Sequence, residues 1–218
     1  MTSLTLPYWY DLHTHLRQDH LLEPIIKSQI DMGCAGVLAM PNTKPPVAKV
    51  LESDALDYWS IEEYRSRIVE AGGNGFDALI TPLYLTKDTT AKMIEQGAKA
   101  GLLKACKYYP PHGTTGADFG YPMEEFLKGD VLKAMADHGV VLCIHGEEHA
   151  LNAERYFDRG GNAEEIFYTD RVPKILDAVP NLKLACEHIT TKVAVDFVAG
   201  AGENVAASVT PQHILYTV

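Results

Sequence analysis

Short apolar runs alternate with longer amphipathic stretches along almost the whole chain. Apolar runs of four to eight residues without strict polar alternation read as strands buried on both faces. Seven such strands are expected, over about 9–13, 36–42, 77–84, 101–109, 140–145, 182–188 and 205–209. Between them, apolar positions recur at helical spacing. The pattern predicts helices over about 21–32, 50–71, 89–99, 123–138, 163–178 and 192–199. In the first, Leu22, Ile25, Ile26 and Ile30 share one side and Gly33 stops the helix. In the third, Met93 and Ile94 point inward. The stretch 110–122, rich in Gly, Thr and Pro, is expected to be a loop. Strands separated by helices indicate a parallel sheet covered on both faces. Seven βα steps in one unit, residues 1–218, favour a (β/α)8 TIM-type barrel over an open sheet. No eighth strand is readable before Val218, so the expectation is an incomplete ring.

Composition narrows the function. The chain has 218 residues, 46 % hydrophobic and 22 % charged, which describes an ordinary globular protein. A formal charge of −10 argues against nucleic-acid binding, which needs a basic face. It also requires that an anionic substrate be captured by local positive groups. Cys34, Cys106, Cys143 and Cys186 lie in apolar runs with no C-x-x-C pair, which predicts buried, reduced thiols in a cytoplasmic protein. There is no secretory pattern at the start, and no apolar run approaches the ~18 residues of a membrane helix.

The polar residues sit where a barrel does its chemistry. His13, His15, Asn42, Lys107, His145, His188 and His213 fall at or just beyond the C-terminal ends of the expected strands. Alternation along a strand turns His13 and His15 to the same side, where two imidazoles can share a metal ion. Arg17 follows at the same spacing and offers a planar fork for a carboxylate. With His145 and His188 there are four imidazoles, enough for two ions. A lysine among cations is driven toward its neutral form. A neutral amine can take up carbon dioxide, and the resulting carbamate can bridge two ions about 3.5–4 Å apart. Plainer readings stand beside these. The histidines can be solvated strand residues, and Lys107 can pair with Glu147 or another carboxylate. The 110–122 loop can be an inert surface loop. His20, His112 and His149 read as surface groups, and His138 as a helix-terminal imidazole. Glu147 and Glu148 either orient ligands or form an exposed acidic turn. Tyr108 and Tyr109 read as packing residues.

The run from Asp11 to Arg17 resembles the opening signature of the amidohydrolase superfamily. The whole pattern is most similar to the dihydroorotases of the short, single-domain bacterial and plant type. Met40–Val47 resembles their second motif, and Lys107–Pro110 with Thr114 and Thr115 their carboxylated-lysine strand and mobile loop. Val141–Glu147, Glu187–Lys192 and Thr210–His213 are similar to three further blocks. The resemblance implies a barrel of the metallo-dependent hydrolase type that binds two zinc ions. His13 and His15 would hold the buried ion, His145 and His188 the exposed one, and carboxylated Lys107 would bridge them. Arg17 and Asn42 would hold the substrate carboxylate, Thr114 and Thr115 would close over it, and the backbone at Ile214 would touch the ring. The implied reaction is reversible cyclisation of N-carbamoyl-L-aspartate to L-dihydroorotate in pyrimidine synthesis, by a cytoplasmic homodimer. The family's general acid/base is an aspartate ending strand eight, and no carboxylate within 1–218 matches it. The chain is therefore expected to be a truncated copy with doubtful activity of its own. The rivals are another binuclear cyclic amidohydrolase, such as a hydantoinase or allantoinase, and a non-catalytic partial barrel.

Overall fold

The computed structural model describes residues 5–51, 54, 56–158 and 160–216. In chain order the strands are β1 (Trp9–Thr14), β2 (Cys34–Ala39), β3 (Val47–Lys49), β4 (Trp59–Ser60), β5 (Ala78–Ile80), β6 (Leu83–Tyr84), β7 (Ala105–Tyr108), β8 (Val141–His145), β9 (Leu184–Glu187) and β10 (Val205–Ala207). The helices are α1 (Leu22–Asp31), α2 (Ile61–Glu70), α3 (Ala91–Lys99), α4 (Met123–Lys128), α5 (Val131–Asp137), α6 (Ala153–Tyr156), α7 (Ala163–Ile166), α8 (Val172–Ala178), α9 (Lys192–Gly200) and α10 (Pro211–Leu215).

All strand pairings are parallel, and the barrel wall follows chain order. β1 pairs with β2 and β2 with β5, while β6, β7, β8, β9 and β10 pair in succession. The expected third strand is split at Thr81 and Pro82, because proline has no N–H to give the ladder. Its first part joins β2 and its second joins β7. Among the described residues β1 and β10 each have one sheet neighbour.

Alternation sorts the strand residues. Val37, Ala39, Cys106, Tyr108, Leu142, Ile144, Leu184 and Cys186 join the large core between sheet and helices. Leu38, Met40, Ala105 and Cys143 form a separate small cluster inside the barrel, with Ile80 and Ala185 against it. One step of two residues beyond these inner positions come Asn42, Lys107, His145 and Glu187. The barrel interior thus begins apolar and ends polar at the C-terminal ends of its strands.

Three helices depart from the pattern-based reading. The helix expected from residue 50 begins only at Ile61, where the Ser60 side chain accepts the Glu63 N–H at 2.9 Å. Its first half holds instead a turn in which Asp54 accepts from the N–H groups of Val50 and Leu51, and β4, which pairs with β3 just before it. Residues 52, 53 and 55 of that expected helix lie outside the described residues. The helix over 123–138 breaks into α4 and α5 at Gly129, which is extended. Between α7 and α8 a wide π turn spans Phe167–Arg171, just before Pro173, whose missing N–H releases the preceding turn. All four cysteines are free and buried. No helix among the described residues is long and apolar enough to cross a membrane.

Candidate metal centre

Lys107 is the most enclosed of the charged residues described, with no exposed surface. It stands two residues beyond Ala105 on β7, pointing into the barrel, where its Nζ forms an ion pair with Glu187 Oε2. Glu187 ends β9 on the same inner parity and is 3 % exposed. Its other oxygen, Oε1, lies 3.1 Å from His13 Nδ1. That contact is not aligned as a hydrogen bond, so His13 Nδ1 is buried without a hydrogen-bond partner.

Around this pair the imidazoles close in. The His13 ring centroid is 5.2 Å from that of His15 and 4.9 Å from that of His188, and His188 is 4.6 Å from His145. His145 Nδ1 approaches His188 Nε2 at 3.1 Å. His15 Nδ1 meets Asn42 Oδ1 at 2.9 Å, which leaves Nε2 for another partner. His188 follows β9 with a φ of 44°, a left-handed conformation uncommon for any residue but glycine. Its N–H donates to Ser208 Oγ at 3.0 Å, just beyond β10, and that bond helps hold the turn. The turn swings His188 inward although strand alternation alone would send it outward. All four histidines line one cavity of about 810 Å³, with Glu187, His213 and Thr114.

The electrostatics suit a cation. Burial, reinforced by His13 and Arg17, lowers the His15 pKa to about 4. Burial, with Lys107 and His145, pushes His188 well below the usual range. Both rings are therefore neutral near pH 7 and keep a lone pair free. Burial by itself would raise the Glu187 carboxyl, but Lys107 and His13 more than offset it, so its pKa lies below the ordinary carboxylate value. His13, Glu187 and His188 offer donor atoms within 4.8 Å of one another. Two imidazoles with one carboxylate form a nitrogen and oxygen set that fits zinc and related divalent ions. The unpartnered His13 Nδ1 gives the same answer.

Of the residues singled out in the sequence, His13, His15, Lys107, His145 and His188 converge. The substrate group is more dispersed. Arg17 is exposed with a φ of 63°, and it is outside the cavity lining; its carbonyl accepts the Tyr64 hydroxyl at 2.9 Å. Asn42 is engaged, through Oδ1 with His15 and through Nδ2 with the Thr115 carbonyl at 2.9 Å. Thr114 lines the cavity, whereas the exposed Thr115 does not. Ile214 is 73 % exposed and outside the lining, although its neighbour His213 belongs to it. Lys107 is paired with a carboxylate, as its plainer reading has it, but the partner is Glu187 and not Glu147. Glu147 is half-buried and bound to His145, so the acidic turn is not a free surface feature.

Sequence reasoning missed Glu187. The signal was the alternation Ala185, Glu187, which puts the carboxylate on the inner face beside Lys107. The neighbouring His188 drew the assignment instead.

No family model matches the sequence. The dihydroorotase of Agrobacterium fabrum is 37 % identical over 218 residues, which cover 99 % of this chain and 58 % of that protein. In structure, the dihydroorotase of Saccharomyces cerevisiae, in complex with 5-fluoroorotic acid, superposes with a TM-score of 0.81 at 25 % identity. That match covers 97 % of this chain and 58 % of the yeast chain. The chain is related to the dihydroorotases. It spans a little over half the length of the curated relatives it matches. An L-hydantoinase from Arthrobacter aurescens superposes with a TM-score of 0.64 at 16 % identity, over 97 % of this chain and 48 % of that one. That likeness bears on the fold alone.

Proposed function

We propose that this chain carries the metal-binding side of a dihydroorotase, an enzyme that interconverts N-carbamoyl-L-aspartate and L-dihydroorotate. The observation that supports the reading is the gathering of His13, His15, His145 and His188 around one cavity at one end of the barrel, with Lys107 joined to it through Glu187. In this reading His13 and His15 would hold one divalent cation and His145 and His188 a second, and Lys107 would contribute as a carbamate. When bound, such cations supply Lewis acidity toward an amide carbonyl and lower the pKa of water.

The chain's own residues set the conditions. To become a carbamate, the Lys107 ammonium must leave its ion pair with Glu187, lose a proton, add carbon dioxide at the neutral amine and release a second proton. A carbamate beside Glu187 puts two negative groups in a buried site, a costly arrangement without cations. Cation uptake and carboxylation therefore go together. Arg17 and Asn42 take the substrate carboxylate, which requires Arg17 to turn from solvent toward the cavity. Thr114 and Thr115 cover the ring and exclude water, with Asn42 Nδ2 tying their loop to the site. The backbone at Ile214 would contact the ring beside His213, which lines the cavity.

The test is to load the chain with Zn2+ and offer it dihydroorotate, hydantoin and allantoin separately. Turnover of dihydroorotate above the other two is the expected result, at a slow rate. A preference for hydantoin or allantoin would assign the chain to another cyclic amidohydrolase. Bound Zn2+ without any turnover would leave it a non-catalytic binding module.

A further inference from the structure

Two polar groups beside the cluster have no part in the reading above. Glu147 lies two residues beyond His145, and its N–H donates to the His145 carbonyl at 3.1 Å. That tight turn folds the glutamate back over its own imidazole. Gly146 makes the turn possible, because a Cβ there would lie 2.7 Å from the Tyr168 ring. Glu147 Oε2 then sits 2.5 Å from His145 Nε2. The hydroxyl of Tyr156, on α6, bonds the same oxygen. It also lies 3.5 Å from the Gly113 carbonyl, in the loop that carries Thr114 and Thr115. The side chain of Asn152 accepts the Arg155 N–H at 2.8 Å and so starts the turn that presents Tyr156.

A carboxylate only accepts, so a bond from Nε2 to Glu147 requires the proton on Nε2. In the neutral ring the lone pair is then on Nδ1, the nitrogen that faces His188. We propose that Glu147 and Tyr156 are a positioning relay. Glu147 fixes His145 as the Nε2–H tautomer, and Tyr156 clamps Glu147 and couples it to the loop over the site. The chemistry is that of carboxylates behind metal-bound histidines, which set tautomer and ring orientation. Asn42 does the corresponding work for His15 from the opposite nitrogen. The relay deepens the metal-site reading and rests on His145 as a ligand.

The test uses 15N-labelled chain and long-range 1H–15N correlations of the His145 ring, first without metal and then with Zn2+ added. The expected result is the Nε2–H tautomer in the metal-free wild type. Glu147→Leu removes the acceptor; it should give mixed tautomers and weaken Zn2+ binding about 10–100-fold. Glu147→Gln keeps an acceptor oxygen and should restore the tautomer and most of the affinity. Tyr156→Phe should keep the tautomer and weaken Zn2+ binding by less than Glu147→Leu does. An unchanged tautomer in Glu147→Leu overturns the relay. If that variant does not fold, unchanged Zn2+ affinity in Tyr156→Phe overturns it instead. The underlying ligand reading fails separately, if Zn2+ binds but leaves the wild-type His145 ring resonances unmoved.

Discussion

Lys107 and Glu187, eighty residues apart in sequence, form a buried ion pair beside the cavity that four imidazoles line. Burying two charges is unfavourable unless each is compensated, and one pair alone rarely repays the cost. Here the carboxylate also faces His13, and the lysine has the Tyr109 ring 5.0 Å from its Nζ. Such a pair specifies position more than it stabilises the fold.

Removing one partner should therefore be far worse than removing both. In the metal-free chain, Lys107→Met leaves Glu187 buried beside His13 alone, and about 3–5 kcal/mol of stability should be lost. The double variant Lys107→Met/Glu187→Leu should lose less than that single change, because no uncompensated charge remains. Urea titration of the single and double variants checks it. Additive losses would show that the two side chains do not depend on each other.

Metal loading should respond to carbon dioxide through Lys107. In bicarbonate-free buffer the chain should hold fewer than two Zn2+, since the lysine stays with Glu187. Added bicarbonate should raise the Zn2+ content of the wild type and leave that of Lys107→Ala unchanged. Zinc analysis per chain after gel filtration reads this out. An equal response in Lys107→Ala would place carboxylation elsewhere or nowhere.

Much of this site was legible because strand alternation is a strong geometric rule. The inner positions Ala105 and Lys107, or Cys143 and His145, follow from it once the strands are found. The buried cysteines follow in the same way from their apolar runs. The rule failed at the end of β9. The strand stops at Glu187, one residue earlier than the apolar pattern suggests, and a left-handed turn brings His188 in from the wrong parity. Nothing in a histidine announces a positive φ; the Ser208 bond that helps hold it comes from twenty residues away. Apolar spacing ran a helix through 50–60 because it does not register the Ser60 cap or the β3–β4 pairing. Arg17 shows a third limit. Its fork suits a carboxylate, but its place in solvent depends on the conformation of the following loop.

Glu164 offers a separate test of how His188 is held. Its carboxylate lines the cavity wall and accepts the N–H of Thr190 at 2.8 Å, the Thr190 hydroxyl and the Thr191 N–H. It thereby fixes two of the three residues, Thr190 and Thr191, that link His188 to α9. Glu164→Leu leaves those donors short of partners and should cost about 1–3 kcal/mol. Weaker Zn2+ binding should accompany the loss, whereas Glu164→Gln, which still accepts, should retain most of both. Loss of stability with unchanged Zn2+ affinity would mean that the His188 turn does not rely on this carboxylate.

Arg17 and Asn42 should separate binding from chemistry. Arg17 is exposed and its side chain is outside the cavity, so Arg17→Met should leave the urea midpoint almost unchanged. If its guanidinium closes on the substrate carboxylate, the loss appears as a higher KM for dihydroorotate, with kcat reduced much less. Losing a charge-assisted bond of about 1.5–3 kcal/mol corresponds to roughly a 10–150-fold fall in kcat/KM. Asn42 differs because it also orients His15 and ties down the Thr115 loop. Asn42→Ala should therefore reduce stability, Zn2+ affinity and turnover together, even with substrate at saturation. Steady-state kinetics of both variants, beside their Zn2+ affinities, decides the matter. If Arg17→Met changed Zn2+ affinity and left KM alone, the arginine would be acting on the metal cluster and not on the substrate.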